Sequence, residues 1–189
     1  MIDNDEIQKI VPILKSGGII IFPTDTIWGI GCNALDKKAV ERIYAIKKRS
    51  KDKPMPLLID TYARLLTHVN KVHPKTTALI DYHDRPLTII YDKAKNLPDN
   101  IIADDESIAI RIVKDDFCRA LIKAADFPLV ATSANYSEQD SPKNFSEIDK
   151  DFLKEVDYVV RHRQHEIQLN EPSTIVKVKK DGELVFLRT

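Results

Sequence analysis

The chain has 189 residues, with 29 Lys+Arg balanced by 29 Asp+Glu and 43% hydrophobic residues. That balance argues against a protein that holds nucleic acid or a membrane through bulk charge, so any anion site has to be a local cluster. No single-charge or Pro/Gly/Ser-rich tract divides the chain, and one domain over residues 1–189 is the expected organisation.

The N-terminus is acidic, lacks a basic leader and contains no run of 18 apolar residues, which points to the cytoplasm and away from a membrane. Asp3 with Glu6 forms a capping-box pattern ahead of Ile7, Ile10, Val11 and Leu14 at helical spacing; Gly17 supplies a stop and Pro12 a kink. Gly18 to Phe22 is continuously apolar and β-branched, as in a strand covered on both faces, and ends at Pro23. Asp36 caps a second helix with Val40, Ile43 and Tyr44 as its apolar stripe. A strand near Leu57 to Asp60, a helix from about Lys75 to Tyr82 and a strand from Leu87 to Tyr91 follow, and Asp92 to Glu106 reads as loop. Ser107 to Ile112 alternates, turning Ile108, Ile110 and Ile112 to a core and Ser107, Ala109 and Arg111 to the other face. Asp115 caps a helix carrying Cys118, Leu121, Ile122 and Ala125, and Pro128 to Ala131 is a short buried strand. Tyr136 to Asn144 has the composition of a mobile loop, and strands near Tyr158 to Val160, Thr174 to Val178 and Leu184 to Leu187 close the chain. Helices alternate with strands early and strands dominate late, so the fold class is α/β, a mixed sheet with helices packed on it.

Cys32 and Cys118 form no C-x-x-C pair and read as buried free thiols, consistent with a reducing compartment. The five histidines, His162 and His165 among them, read as surface residues. No phosphate loop, H-E-x-x-H or nucleophile elbow occurs.

Four segments could carry chemistry. Pro23-Thr24-Asp25-Thr26, followed by Gly29 and Gly31, leaves a buried strand where α/β sheets put ligands, yet a turn satisfying its own backbone explains it equally well. Lys47 to Lys53 holds five cations in seven residues at a helix end. A solvated cap needs one or two of these, so the excess looks aimed at a polyanion, with triphosphate and RNA backbone both fitting. Ala131-Thr132-Ser133-Ala134-Asn135 offers small residues and polar groups after a strand. Glu171-Pro172-Ser173-Thr174, with Arg188 far downstream, is uninformative alone.

Taken in order, these pieces resemble the YrdC/Sua5 family of threonylcarbamoyl-AMP synthases. The matching motifs are P-T-D-T-x-W-G-I-G at 23–31, I-K-x-R-x-x-x-K-P at 46–54, R-P-L-T at 85–88 and I-A-I-R at 108–111. T-S-A-N-x-S at 132–137, Ser141-Pro142 and P-S-T-I-V at 172–176 complete the set. The resemblance implies a YrdC-like twisted mixed sheet, parallel and antiparallel, with a concave basic cleft. It implies a nucleotidyltransferase that joins L-threonine, bicarbonate and ATP, with Mg²⁺, into threonylcarbamoyl-AMP and pyrophosphate for t6A modification of tRNA. Carried across, Thr26, Arg111, Ala131 and Ser173 surround threonine. Lys47, Arg49, Lys53, Ser107, Ser133, Asn135, Ser141 and Arg188 line ATP, and Lys47, Arg49 and Arg111 are catalytic; no residue is assigned as a direct metal ligand. Partners implied are tRNA or double-stranded RNA and proteins of t6A transfer. The chain departs from the family pattern at Leu58, often a histidine, at Ser137-Glu138 in place of S-G, and at Arg161 to His165 in place of a glycine-rich stretch. Two alternatives stand beside the synthase: an RNA-binding protein using Lys47 to Lys53 and Arg161 to Arg163, and a paralogue acting on another carbamoyl or acyl adenylate.

Overall fold

The structure is a computed structural model and describes residues 4–167, 171–179 and 181–188. Its strands form one nine-stranded sheet, in the order β7-β1-β2-β6-β3-β5-β4-β8-β9. These are β1 (Ile20–Phe22), β2 (Gly29–Asn33), β3 (Leu57–Ile59), β4 (Leu87–Tyr91), β5 (Ile108–Ile112), β6 (Leu129–Ser133), β7 (Tyr158–Val159), β8 (Thr174–Val178) and β9 (Leu184–Arg188). Pairing is mixed: β1 with β7, β3 with β5 and β4 with β8 are parallel, the other neighbours antiparallel. The helices are α1 (Asn4–Lys15), α2 (Lys37–Lys47), α3 (Tyr62–His68), α4 (Pro74–Tyr82), α5 (Asp116–Ala125) and α6 (Lys150–Lys154).

Strand alternation divides the interior into two apolar layers. Ile19, Ile21, Ile30, Leu57, Ile59, Ile108, Ile110 and Val130 pack with Val40, Ile43 and Tyr44 of α2 and with Phe152 of α6. On the opposite face Ile20, Phe22, Leu58, Leu129 and Ala131 meet Ile7, Ile10 and Leu14 of α1 and Phe117, Leu121 and Ile122 of α5. Gly31 points to that second face; a Cβ there would sit 2.3 Å from Val130 O and 2.8 Å from the Phe22 ring, so only glycine lets β2 lie against both.

Asp36 caps α2 by accepting from the N–H groups of Lys38 and Ala39, and Asp115 caps α5 by accepting from Cys118. Asp3 of the expected capping box lies outside the described residues, and Glu6 makes long-range contacts as well. Its buried carboxylate accepts from Tyr158 Oη and from the N–H groups of Arg161 and His162, joining α1 to the chain after β7. Pro12 does not end α1, which continues to Lys15. Strand β2, α3 and α6 are additions to the expected elements. Each is short, and β2 holds two glycines, so their patterns fall below what periodicity resolves.

Both cysteines are buried and free. The histidine expectation needs correcting: His68 is buried, and His162 is half-buried, stacked on Phe117 at a ring separation of 4.9 Å. Glu138, in place of the family pattern's glycine, and Arg163, within the stretch that replaces its glycine-rich one, both stand in left-handed backbone, at φ 71° and 62°. No helix among the described residues is long and apolar enough to cross a membrane.

Candidate active site

Along β3, β5, β4, β8 and β9, side chains on the α1/α5 side of the sheet line an open cleft of about 370 Å³. That volume suits a small-molecule ligand. Leu58, Thr88, Ile90, Ala109, Arg111, Ser173, Ile175 and Leu187 form much of its floor, and Thr24, Thr26, Gly29, Ala131, Thr132 and Ser133 form one wall. The alternation that turned Ile108 and Ile110 inward is what turns Arg111 into this space.

Among the described residues, the charged side chains lining the cleft are Arg49, Arg111 and Arg188. Arg111 is 5% exposed. One guanidinium nitrogen donates to Thr26 Oγ1 at 3.1 Å, and the other end pairs with Asp25 at 3.2 Å. Thr26 Oγ1 also shares a 2.8 Å hydrogen bond with Thr24 Oγ1, which donates to Ile27 O. The Pro23 to Ile27 turn therefore satisfies its own backbone, as one reading of that segment had it, and also holds an arginine and lines the cleft. At the far side Thr88 and Ser173 share a hydroxyl contact of 2.7 Å, and Arg188 donates to Ser173 O at 2.8 Å and Ser173 Oγ at 3.2 Å. Burial, then the charge of Arg111, lowers the proton affinity of Arg188; burial does the same to Arg49. Arginines stay charged even so, and an anion placed between these groups would relieve both burial and repulsion.

The structure brings together in the cleft Thr26, Arg49, Arg111, Ala131, Ser133, Ser141, Ser173 and Arg188. Four other expected ligands lie elsewhere. Lys53 is exposed and lines no part of the cleft; only its backbone carbonyl contributes, accepting from Arg49 Nε at 2.8 Å. Ser107 precedes β5 with its N–H donating to Asp105. Asn135 is buried, and its amide nitrogen donates to Tyr136 O and Gln139 O, fastening the first part of the expected mobile loop. Lys47 is 1% exposed, its ammonium donating to Ser133 O and Asn135 O at 2.6 Å each. Its inward course was readable: Lys47 follows Val40, Ile43 and Tyr44 by seven, four and three residues, so it shares their buried stripe. Thr88 and Ile175 fall in motifs of the resemblance and Leu58 at one of its departures, but strand pairing is what brings the three together on the cleft floor.

Two of the cations read as an RNA surface make contacts within the protein. Arg163 pairs with Asp115 at 2.9 Å and is mostly buried, while Lys48 lies over the Tyr136 ring at 5.0 Å. Among the described residues no three His, Cys, Asp or Glu side chains gather as metal ligands.

A mixed sheet with an arginine- and hydroxyl-lined cleft on one open face defines the class, an α/β protein with a cleft sized for a small molecule. The family model for Sua5, YciO and YrdC, described as telomere recombination, matches residues 12–189, and the chain belongs to that family. A Methanocaldococcus jannaschii relative provisionally named as a threonylcarbamoyl-AMP synthase is 39% identical over 99% of this chain and 88% of its own. The threonylcarbamoyl-AMP synthase of Pseudoalteromonas translucida is 30% identical over 85% of this chain and 87% of its own. Among solved structures, Sua5 of Pyrococcus abyssi complexed with L-threonine superposes with a TM-score of 0.87 at 26% identity over all of this chain. This chain spans 55% of that longer one.

Proposed function

We propose that the protein is an L-threonylcarbamoyladenylate synthase, making threonylcarbamoyl-AMP and pyrophosphate from L-threonine, bicarbonate and ATP for t6A modification of tRNA. The observation that carries the reading is the charge pattern of the cleft: among the described residues three arginines line it, with hydroxyls between them and no carboxylate.

In this reading Arg111, held by Thr26 and Asp25, takes the amino-acid carboxylate in its planar fork, with Ala131 and Ser173 beside it. Arg49, Ser133, Ser141 and Arg188 hold the nucleotide. The threonine nitrogen bonds to the bicarbonate carbon with loss of water and a proton, and the carboxylate oxygen of the resulting N-carboxy amino acid attacks the α-phosphorus. A P–O bond forms there, the bond to the β-phosphate bridge breaks, and pyrophosphate leaves with the electron pair. The nucleophile is already anionic, so no side-chain base is required, and rate comes from alignment and from cations placed where charge accumulates. Magnesium would arrive on the phosphates, whose charge it shares with the arginines.

Pyrophosphate release by folded protein should require ATP, magnesium, L-threonine and bicarbonate together. Release that is absent, or indifferent to threonine and bicarbonate, removes the assignment. A panel of amino acids in the same assay tests the paralogue reading, which the apolar Leu58 on the cleft floor keeps open. Strict threonine preference would end it.

A further inference from the structure

Of the five cations between residues 47 and 53, Lys47 alone is fully buried. Its stem continues the apolar stripe of α2, and its ammonium reaches the carbonyls of Ser133 and Asn135, with the Phe152 ring 5.9 Å away. The chain returns the contact, since Ser137 N–H donates to Lys47 O at 2.8 Å. Asn135 closes the same knot through Tyr136 O and Gln139 O. On either side of the knot, Ser133 and Ser141 line the cleft.

Burying an ammonium with no carboxylate partner is expensive, and a methionine or leucine would fill the stripe without that cost. What a hydrocarbon would leave behind is two buried carbonyls without donors. Burial, then the positive charge of Arg49, lowers the Lys47 pKa to about 7, against which the two carbonyls favour the charged form. A neutral amine still offers one N–H to each carbonyl, so the tie does not depend on the proton.

We propose that Lys47 is a positioning residue for the nucleotide, setting the places of Ser133 and Ser141 from behind the cleft wall without touching phosphate. The proposal rests on the adenine-nucleotide reading of the cleft given above.

The test compares AMP, ADP, ATP and L-threonine binding by calorimetry in the wild type and in Lys47→Met. A displaced wall should weaken all three nucleotides by the same factor, about tenfold, and leave threonine unchanged, with faster proteolysis between residues 134 and 141. A loss that grows with each added phosphate would make Lys47 a direct phosphate ligand and overturn the proposal. So would equal loss of threonine and nucleotides, which marks a general structural role. A wild type that binds threonine but no adenine nucleotide brings down the reading of the site, and this proposal with it. Because the variant tests a buried position, ¹⁵N-lysine NMR of the wild type at pH 6 gives a second measurement. The Lys47 ammonium signal should keep its slow exchange when ATP binds; a coupling to ³¹P would sink the idea.

Discussion

The two ends of the cleft hold their arginines in different ways. Arg111 projects from β5, between β3 and β4, and is clamped by Thr26 and Asp25. Arg49 stands beyond the end of α2 in irregular chain and is held through carbonyls, those of Lys53 and Pro54. In a strand, the period of two fixes where a side chain points, so a run of five residues reveals the site. After a helix, each residue takes its own direction, so beyond the buried tie at Lys47, the last residue of α2, the basic run splits into a cleft residue at Arg49 and exposed lysines.

The sharpest way to break this comparison is Arg111→Ala. Amino-acid-dependent pyrophosphate release should fall by about 10²–10³-fold while ATP affinity by calorimetry stays close to wild type. Equal loss of ATP would show that the two ends are misassigned. Next, Arg49→Ala should weaken ATP binding roughly 10- to 100-fold and Lys53→Ala by less than about threefold, whatever their shared motif suggests. A large Lys53 effect would return that residue to the nucleotide. Asp25→Asn tests the clamp: threonine KM should rise about three- to tenfold at nearly constant ATP KM, since the amide cannot hold Arg111 by charge.

Two smaller effects concern what surrounds the nucleotide end. Folded Lys47 releases its proton near pH 7, whereas the unfolded lysine keeps its proton to about 10.5. The unfolded chain therefore binds more protons across that window, and the contribution of Lys47 to stability rises with pH from about 7 upward. Urea midpoints across the window should rise less in Lys47→Met than in the wild type, and parallel curves would contradict the lowered pKa. Smallest of all, Glu138→Gly should raise stability slightly, by up to about 1 kcal/mol, because glycine accepts positive φ without strain. A lower thermal midpoint would mean that the Glu138 side chain contributes more than its backbone costs.

Helix caps at Asp36 and Asp115, the stripe of α5 and the facing of Ile108, Ile110 and Arg111 were all legible, because each depends on neighbours within a few residues. The resemblance supplied the order of motifs and hence the cleft residues Thr26, Arg49, Arg111, Ala131, Ser133, Ser141, Ser173 and Arg188. It assigned Lys47, Lys53, Ser107 and Asn135 to the same cleft, where the structure does not put them. Motif membership says that residues lie near a site and leaves open whether a side chain faces the ligand or the wall behind it.

By itself, then, the sequence determined the alternation that aims Arg111, the caps that start the helices and the stripe that draws Lys47 inward. The tertiary structure alone decided that Glu6 would bind the chain at Arg161, that Asp25 would reach Arg111, and that Ser133 and Asn135 would take the ammonium of Lys47. Those contacts span 155, 86, 86 and 88 residues respectively, and no local spacing encodes them. They follow from strand order, which brings distant segments within hydrogen-bond range only after the sheet has formed.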